Sequence, residues 1–306
     1  MKRLSALAFG LVAAVALAGP ASAQELTGTL KKIKDTGVIK IGNRDASIPF
    51  SYLDDKQKPV GYAVDICMRV VDAVKKKLNM PKLKVEFVPV TSQTRIPILA
   101  GGNIDLECGS TTNSVERQKQ VDFAYTYFVT GTKIIVKKSS GIKSYDDLKG
   151  KTVVYTQGTT NERAMKAYND EKHLNIHFIP AKDHAESFLA VETGRAVAFP
   201  MDDILLYGLK ANAKNPNDYE VIGPFLSDDP YAPMLRKNDA PFKKLVDDTM
   251  ARIYKSGEID KIYHKWFQSP IPPKGVNLNV PMSDPLKELI KHPNDKGVEA
   301  CGRMKC

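Results

Sequence analysis

Short apolar stretches rich in β-branched residues alternate along this chain with longer segments whose apolar residues recur every three or four positions. That alternation restricts the fold to an α/β architecture. Val38-Ile39-Lys40-Ile41-Gly42 reads as a first strand and Gly61 to Leu78 as a helix. Ile66, Val70, Val74 and Leu78, with Cys67 and Val71 beside them, give that helix one apolar face. Val85 to Val90 is a second strand, and a helix is expected from near Ser92 to the stop signal Gly101-Gly102. Ile104 to Cys108 is a third strand, after which Asn113 and Glu116 fit a helix start with reciprocal capping.

A second unit of the same kind follows Phe128. Lys133 to Lys137 and Thr152 to Thr156 read as strands, with a capping box over Ser144 to Asp147 between them. Thr159 and Glu162 have the spacing to cap a helix that starts there. His177 to Pro180 and Ala196 to Phe199 are further strands around a helix from Ala185 to Thr193. The acidic, Pro-containing stretch Ser227 to Tyr231 interrupts the pattern, and helices over Phe242 to Lys255 and Ile259 to Phe267 complete the chain. Two α/β units and a helical return predict two lobes joined by two crossings. The first lobe takes residues 24–128 and 231–306, and the second takes 129–230.

The amino terminus predicts export. Lys2 and Arg3 precede an apolar run from Leu4 to Leu17, Pro20 breaks it, and Ala21-Ser22-Ala23 offers small residues for cleavage. The run is shorter than the ~20 residues that span a bilayer. Residues 1–23 are therefore expected to be a cleaved signal, with the bacterial periplasm as destination. The formal net charge of +10 raises the question of nucleic acid, but the lysines are scattered and no basic run interleaves with aromatics. A solvated basic surface is the expected reading.

Four cysteines are too few to scaffold a chain of 306 residues, so the core must carry the fold. Cys67 falls in the apolar helical pattern and reads as a core residue. Cys301 and Cys306 lie close together in a polar tail and would close a small loop once exported. No Cys-x-x-Cys pair is present, so no metal is expected there. His173 and His177 are four apart, but the second runs into a strand and no metal is expected there either.

In open α/β sheets ligands bind outside the carboxyl ends of strands, where helices begin. Arg44, Ser92, Ser110, Thr112, Thr160, His184 and Asp202 all fall at such ends. A free amino acid presents a carboxylate and an ammonium. The carboxylate favours a bidentate arginine, hydroxyl donors and a helix N-terminus. Arg117, Ser110, Thr112 and the amides opening the helix at Thr160 supply these, and Asp202 is a candidate for the ammonium. Arg44, Arg95 and His184 are then surplus donors, which a second carboxylate on the ligand would explain. Taken singly, each residue has a plainer role: solvated arginine, helix cap at Thr159, or Asp202-Asp203 favouring a helix dipole.

Longer stretches carry a resemblance. Gly61-Tyr62 with Asp65, Gly158-Thr159-Thr160-Asn161-Glu162 and Lys261-Ile262-Tyr263-His264-Lys265-Trp266-Phe267 resemble the solute-binding proteins of polar amino-acid ABC transporters. Thr91-Ser92-Gln93-Thr94-Arg95-Ile96-Pro97, Glu107-Cys108-Gly109-Ser110-Thr111-Thr112-Asn113, Ala181-Lys182-Asp183-His184 and Ser269-Pro270-Ile271-Pro272-Pro273-Lys274 resemble the members that bind acidic amino acids. The resemblance extends to about Asp295. It implies the type II periplasmic-binding-protein fold, a monomer whose two lobes close on glutamate or aspartate and deliver it to a membrane permease, with no cofactor. It also implies that Ser110, Thr112, Arg117 and Thr160 hold the α-carboxylate, and that Asp202, helped by Ser110, holds the amino group. Arg44, Ser92, Arg95 and His184 would surround the side-chain carboxylate.

Two departures accompany the resemblance. Ala232 stands near where some relatives have cysteine, so a disulfide from there to Cys108 cannot form, and 297–306 looks like an extension. Two other functions remain open on this fold. A dehydratase would need an acid or base against its substrate, whereas this cleft is dominated by cations and hydroxyls and no Gly-x-Ser-x-Gly elbow occurs. A sensory binding protein would have the same cleft.

Overall fold

The computed structural model describes residues 26–299, so the expected signal segment 1–23 and the pair Cys301 and Cys306 lie outside the described residues. A first sheet runs in the order Lys84–Pro89, Val38–Asn43, Leu106–Cys108, Met234–Arg236, Val121–Phe123. Its first three strands are parallel, and Met234–Arg236 pairs antiparallel on both sides. The second sheet runs His177–Ala181, Thr152–Thr156, Ala198–Asp202, Thr132–Lys137, Tyr219–Ile222. Here too the first three are parallel and the last two pairings antiparallel.

The chain passes from the first sheet to the second through Phe128–Thr130 and comes back through Asp229–Tyr231. These two short strands pair antiparallel with each other, Asp229 opposite Thr130 and Tyr231 opposite Phe128. Aromatic rings anchor the pair on the side of the first sheet. Phe128 stacks on Phe267 at 5.0 Å, and Phe50 meets Phe128 at 4.9 Å and Tyr231 at 5.1 Å, both edge-on. Aromatic pairs of this geometry contribute about 0.5–1.5 kcal/mol each beyond burial.

The helix Tyr62–Leu78 buries the face its spacing predicts, and Asn79 ends it in the left-handed conformation. Cys67 on that face is not a simple core residue. It forms a disulfide with Cys108, at the end of the Leu106–Cys108 strand, with Cα atoms 6.2 Å apart. Ala232 therefore leaves Cys108 without a partner at that position but not without one altogether, because the helix brings another cysteine to it. The bond closes a loop across a sequence separation of 41 residues. On a loop-entropy account it stabilises the fold by about 4 kcal/mol. Replacing both residues by alanine is expected to lower the denaturation midpoint correspondingly, as read by circular dichroism in urea; an unchanged midpoint would assign the bond no stabilising role.

Several local readings differ from the structure. The helix expected from Ser92 occupies Arg95–Ala100, because Thr91 and Thr94 first form a turn through each other's hydroxyls. No reciprocal cap forms at Asn113 and Glu116. Asn113 instead donates to the Asp295 carbonyl at 2.9 Å, Glu116 pairs with Arg163 at 2.7 Å, and only a short 3₁₀ turn, Arg117–Lys119, follows. At the second unit Thr159 does cap the helix Thr160–Lys172, but Glu162 reaches back to the Gly158 amide rather than to Thr159.

Candidate functional site

The parallel strands of both sheets point their carboxyl ends into one space. From the first sheet come Arg44 after Val38–Asn43, Ser92 and Arg95 after Lys84–Pro89, and Ser110 and Thr112 after Leu106–Cys108. From the second come Thr160 and His184, the first residues of the helices Thr160–Lys172 and His184–Glu192. Asp202 is the last residue of Ala198–Asp202, a strand that runs three residues further than its sequence suggests. None of the nine predicted residues exposes more than 6% of its surface.

Seven of the nine line a single cavity: Ser92, Arg95, Ser110, Thr112, Thr160, His184 and Asp202. Its free volume is only about 10 Å³. That is room for about one water molecule. Arg44 and Arg117 do not line it. Arg44 stands behind His184, with Nη2 3.5 Å from Nε2. Arg117 braces two loops from different halves, donating to the Thr112 carbonyl at 2.8 Å and the Gly158 carbonyl at 3.2 Å. Gly158 has φ +77°, and a Cβ there would stand 2.8 Å from the Gln93 Cα across the cleft. Glycine lets the halves approach this closely.

Cationic charge concentrates here. Burial, and then the nearby Arg95, pulls the Arg44 guanidinium down to about 10, and burial followed by Arg95 and Arg163 pulls Arg117 down to about 9. Arg44 and Arg117 both stay charged at neutral pH. Arg95 is held by the Thr111 hydroxyl at 2.6 Å and the Ser110 carbonyl at 3.2 Å, and Thr111 in turn donates to the buried Glu107 at 2.8 Å. Burial, then Arg44 and Arg95, keeps the His184 imidazole well below its ordinary value. A guanidinium only donates, so the Arg44 contact makes Nε2 the acceptor and puts the ring proton on Nδ1, 3.0 Å from the Thr156 hydroxyl.

The acidic side is equally buried. Asp202 accepts from Asn161 at 2.8 Å through one oxygen and from the Tyr231 hydroxyl through the other. Burial and the neighbouring Asp229 push its carboxyl well above the usual range. Asp229 accepts from Thr112 at 2.7 Å, Thr160 at 2.8 Å and Ser227. Asn161, Glu107, Thr111, Asp229 and Tyr231 thus belong to this network although the strand-end reading passes over them. Asp229 and Tyr231 had a signal in the sequence, the acidic interruption at Ser227 to Tyr231, which the crossing strand explains.

Several donors at the site lack an acceptor. The Ser92 and Ser110 hydroxyls, Nη1 of Arg44 and Nε of Arg95 are buried and make no hydrogen bond within the described residues. An unsatisfied buried polar group costs about 1–3 kcal/mol, and more when charged. Ser92, Ser110 and Arg95 all line the cavity, so an anion there would find three of these donors beside it.

Comparison with known proteins points the same way. Residues 39–269 match the family model described as bacterial extracellular solute-binding proteins, family 3. The chain is 57% identical to the L-glutamate/L-aspartate-binding protein of Pseudomonas aeruginosa over 96% of its own length and 98% of the relative's. It is 51% identical to the glutamate/aspartate import solute-binding protein of Escherichia coli, covering 95% of this chain and 96% of that one. Among solved structures, a mutant arginine-binding protein from T. maritima superposes with a TM-score of 0.69 at 29% identity, over 79% of this chain and all of that one.

Proposed function

Because this chain belongs to the bacterial extracellular solute-binding proteins, family 3, we propose that it captures L-glutamate or L-aspartate between its two sheets and delivers it to the permease of an ABC transporter. The observation that carries this reading is the set of unpaired buried donors on Ser92, Ser110, Arg44 and Arg95 beside a buried carboxylate, Asp202. Arg95 in the cavity wall, with Arg44 and Arg117 buried nearby, suits a ligand with two carboxylates, and Asp202 suits its ammonium. Residues 1–23 would export the chain to the periplasm, where it acts as a monomer. Binding, not catalysis, fits the site. His184 is fixed between Arg44 and Thr156 with its proton on Nδ1.

Calorimetry of ligand-stripped protein tests the reading. Charge-assisted hydrogen bonds netting about 1.5–3 kcal/mol each should outweigh the cost of ordering two halves. A dissociation constant of about micromolar or tighter is expected, near −8 kcal/mol. Affinity weaker than about a millimolar for both acids would sink the assignment.

Closure should accompany binding. Residues from both sheets line the cavity, and in the closed arrangement it has no room for an amino acid to enter. We read the paired strands Phe128–Thr130 and Asp229–Tyr231 as the hinge between the two lobes. A ligand that touches both lobes favours the closed form by its differential affinity. Small-angle scattering is expected to give a smaller radius of gyration with glutamate than without. Superimposable curves would argue for a rigid site.

A further inference from the structure

The hydroxyls of Thr112 and Thr160 are 3.2 Å apart, one from each half, and both lie within 2.8 Å of the same oxygen of Asp229. Each hydroxyl has a single proton. Both protons go to Asp229 Oδ1, so neither is left for another acceptor. Asp229 is 1% exposed, and its second oxygen takes the Ser227 hydroxyl. Its backbone belongs to the crossing strand Asp229–Tyr231, which also pairs with the Thr112 loop through the Asn113 amide on the Pro230 carbonyl at 2.8 Å. Asp229 thus sits in the strand that crosses between the halves, and takes one hydroxyl from each of them.

These two hydroxyls are the ones assigned above to the α-carboxylate of the ligand. We propose that Asp229 is an internal carboxylate that competes with the ligand's α-carboxylate for the Thr112 and Thr160 hydroxyls, and so limits affinity for every amino acid the site takes. The inference rests on the proposed ligand site. For the ligand to bind, both hydroxyls must turn from Asp229 Oδ1 towards the incoming oxygen, and two carboxylates must then share one buried neighbourhood. Like charges so placed oppose each other strongly. A site holding three arginines offsets part of that repulsion, which keeps binding favourable but weaker than the donors alone would allow. The arrangement also makes release possible: when the ligand leaves, its place on the hydroxyls is taken by a group of the same chemistry.

The test is calorimetry on the full mature chain with Asp229→Asn, which keeps the shape and one acceptor oxygen, and with Asp229→Ser as a second variant should the first fail to fold. L-glutamate and its α-amide are the probes. Removing the internal charge is expected to tighten glutamate binding at least about fivefold, and to widen the preference for the α-carboxylate over the α-amide by about tenfold. A purely structural role would not move that ratio. Weaker glutamate binding, or an unchanged ratio, would overturn the inference and make Asp229 a brace of the closed form or a partner of the ammonium. Wild-type protein that binds neither acid would instead remove the ligand assignment, and this inference with it.

Discussion

Arg117→Ala is expected to weaken every amino-acid ligand alike, by about 2–5 kcal/mol. The guanidinium is buried and already ties the Thr112 loop to the Gly158 loop. Its removal costs the α-carboxylate a charged partner and also loosens the two loops that carry the threonine hydroxyls. Both losses concern groups common to all amino acids. Titrations of the variant with glutamate, aspartate and glutamine should therefore shift together. A loss confined to the acids would show that Arg117 serves the side-chain carboxylate and that the division of the site is wrong.

The second large effect is selectivity for the acid over its amide. Glutamine keeps the shape of glutamate but lacks one negative charge. In a closed cleft it leaves Arg44 and Arg95 desolvated without an anion. Wild-type protein is expected to prefer glutamate by at least about 100-fold, roughly 2.7 kcal/mol. Arg44→Met and Arg95→Met should each shrink that ratio more than they change affinity for glutamine. The sign of the pH effect follows from His184. In the free protein burial and the two arginines hold the imidazole neutral. A bound carboxylate favours the imidazolium, so binding takes up part of a proton and tightens as the pH is lowered. Heats measured in buffers of different ionisation enthalpy read that proton directly. Equal affinity for glutamate and glutamine would refute the side-chain assignment whatever the pH behaviour.

Arg44, Ser92, Thr160 and His184 were legible in the sequence because each stands where a strand gives way to a loop or helix, and α/β sheets put ligands there. The apolar repeat of Ile66, Val70, Val74 and Leu78 was legible for the same local reason, since a period in the sequence becomes a face of a helix. What escaped depends on distances through space. Cys67 and Cys108 meet because the helix Tyr62–Leu78 lies against the first sheet, and no spacing along the chain encodes that approach. Asn113 lost its cap to Asp295, a residue 182 positions away. Asp229 and Tyr231 sit in a stretch that breaks the alternation, because a strand that crosses between sheets belongs to neither pattern.

The pairing of Phe128–Thr130 with Asp229–Tyr231 has a consequence for how such a molecule diversifies. Because these strands lie side by side, everything between residues 130 and 229 begins and ends at one spot. The whole second sheet is an insertion with adjoining ends, the kind of segment a host tolerates best. Exchanging it as a cassette would replace Thr160, His184 and Asp202 in one event while leaving Arg44, Arg95 and the disulfide untouched. New ligand chemistry could then be grafted onto an old framework without rebuilding the framework's core.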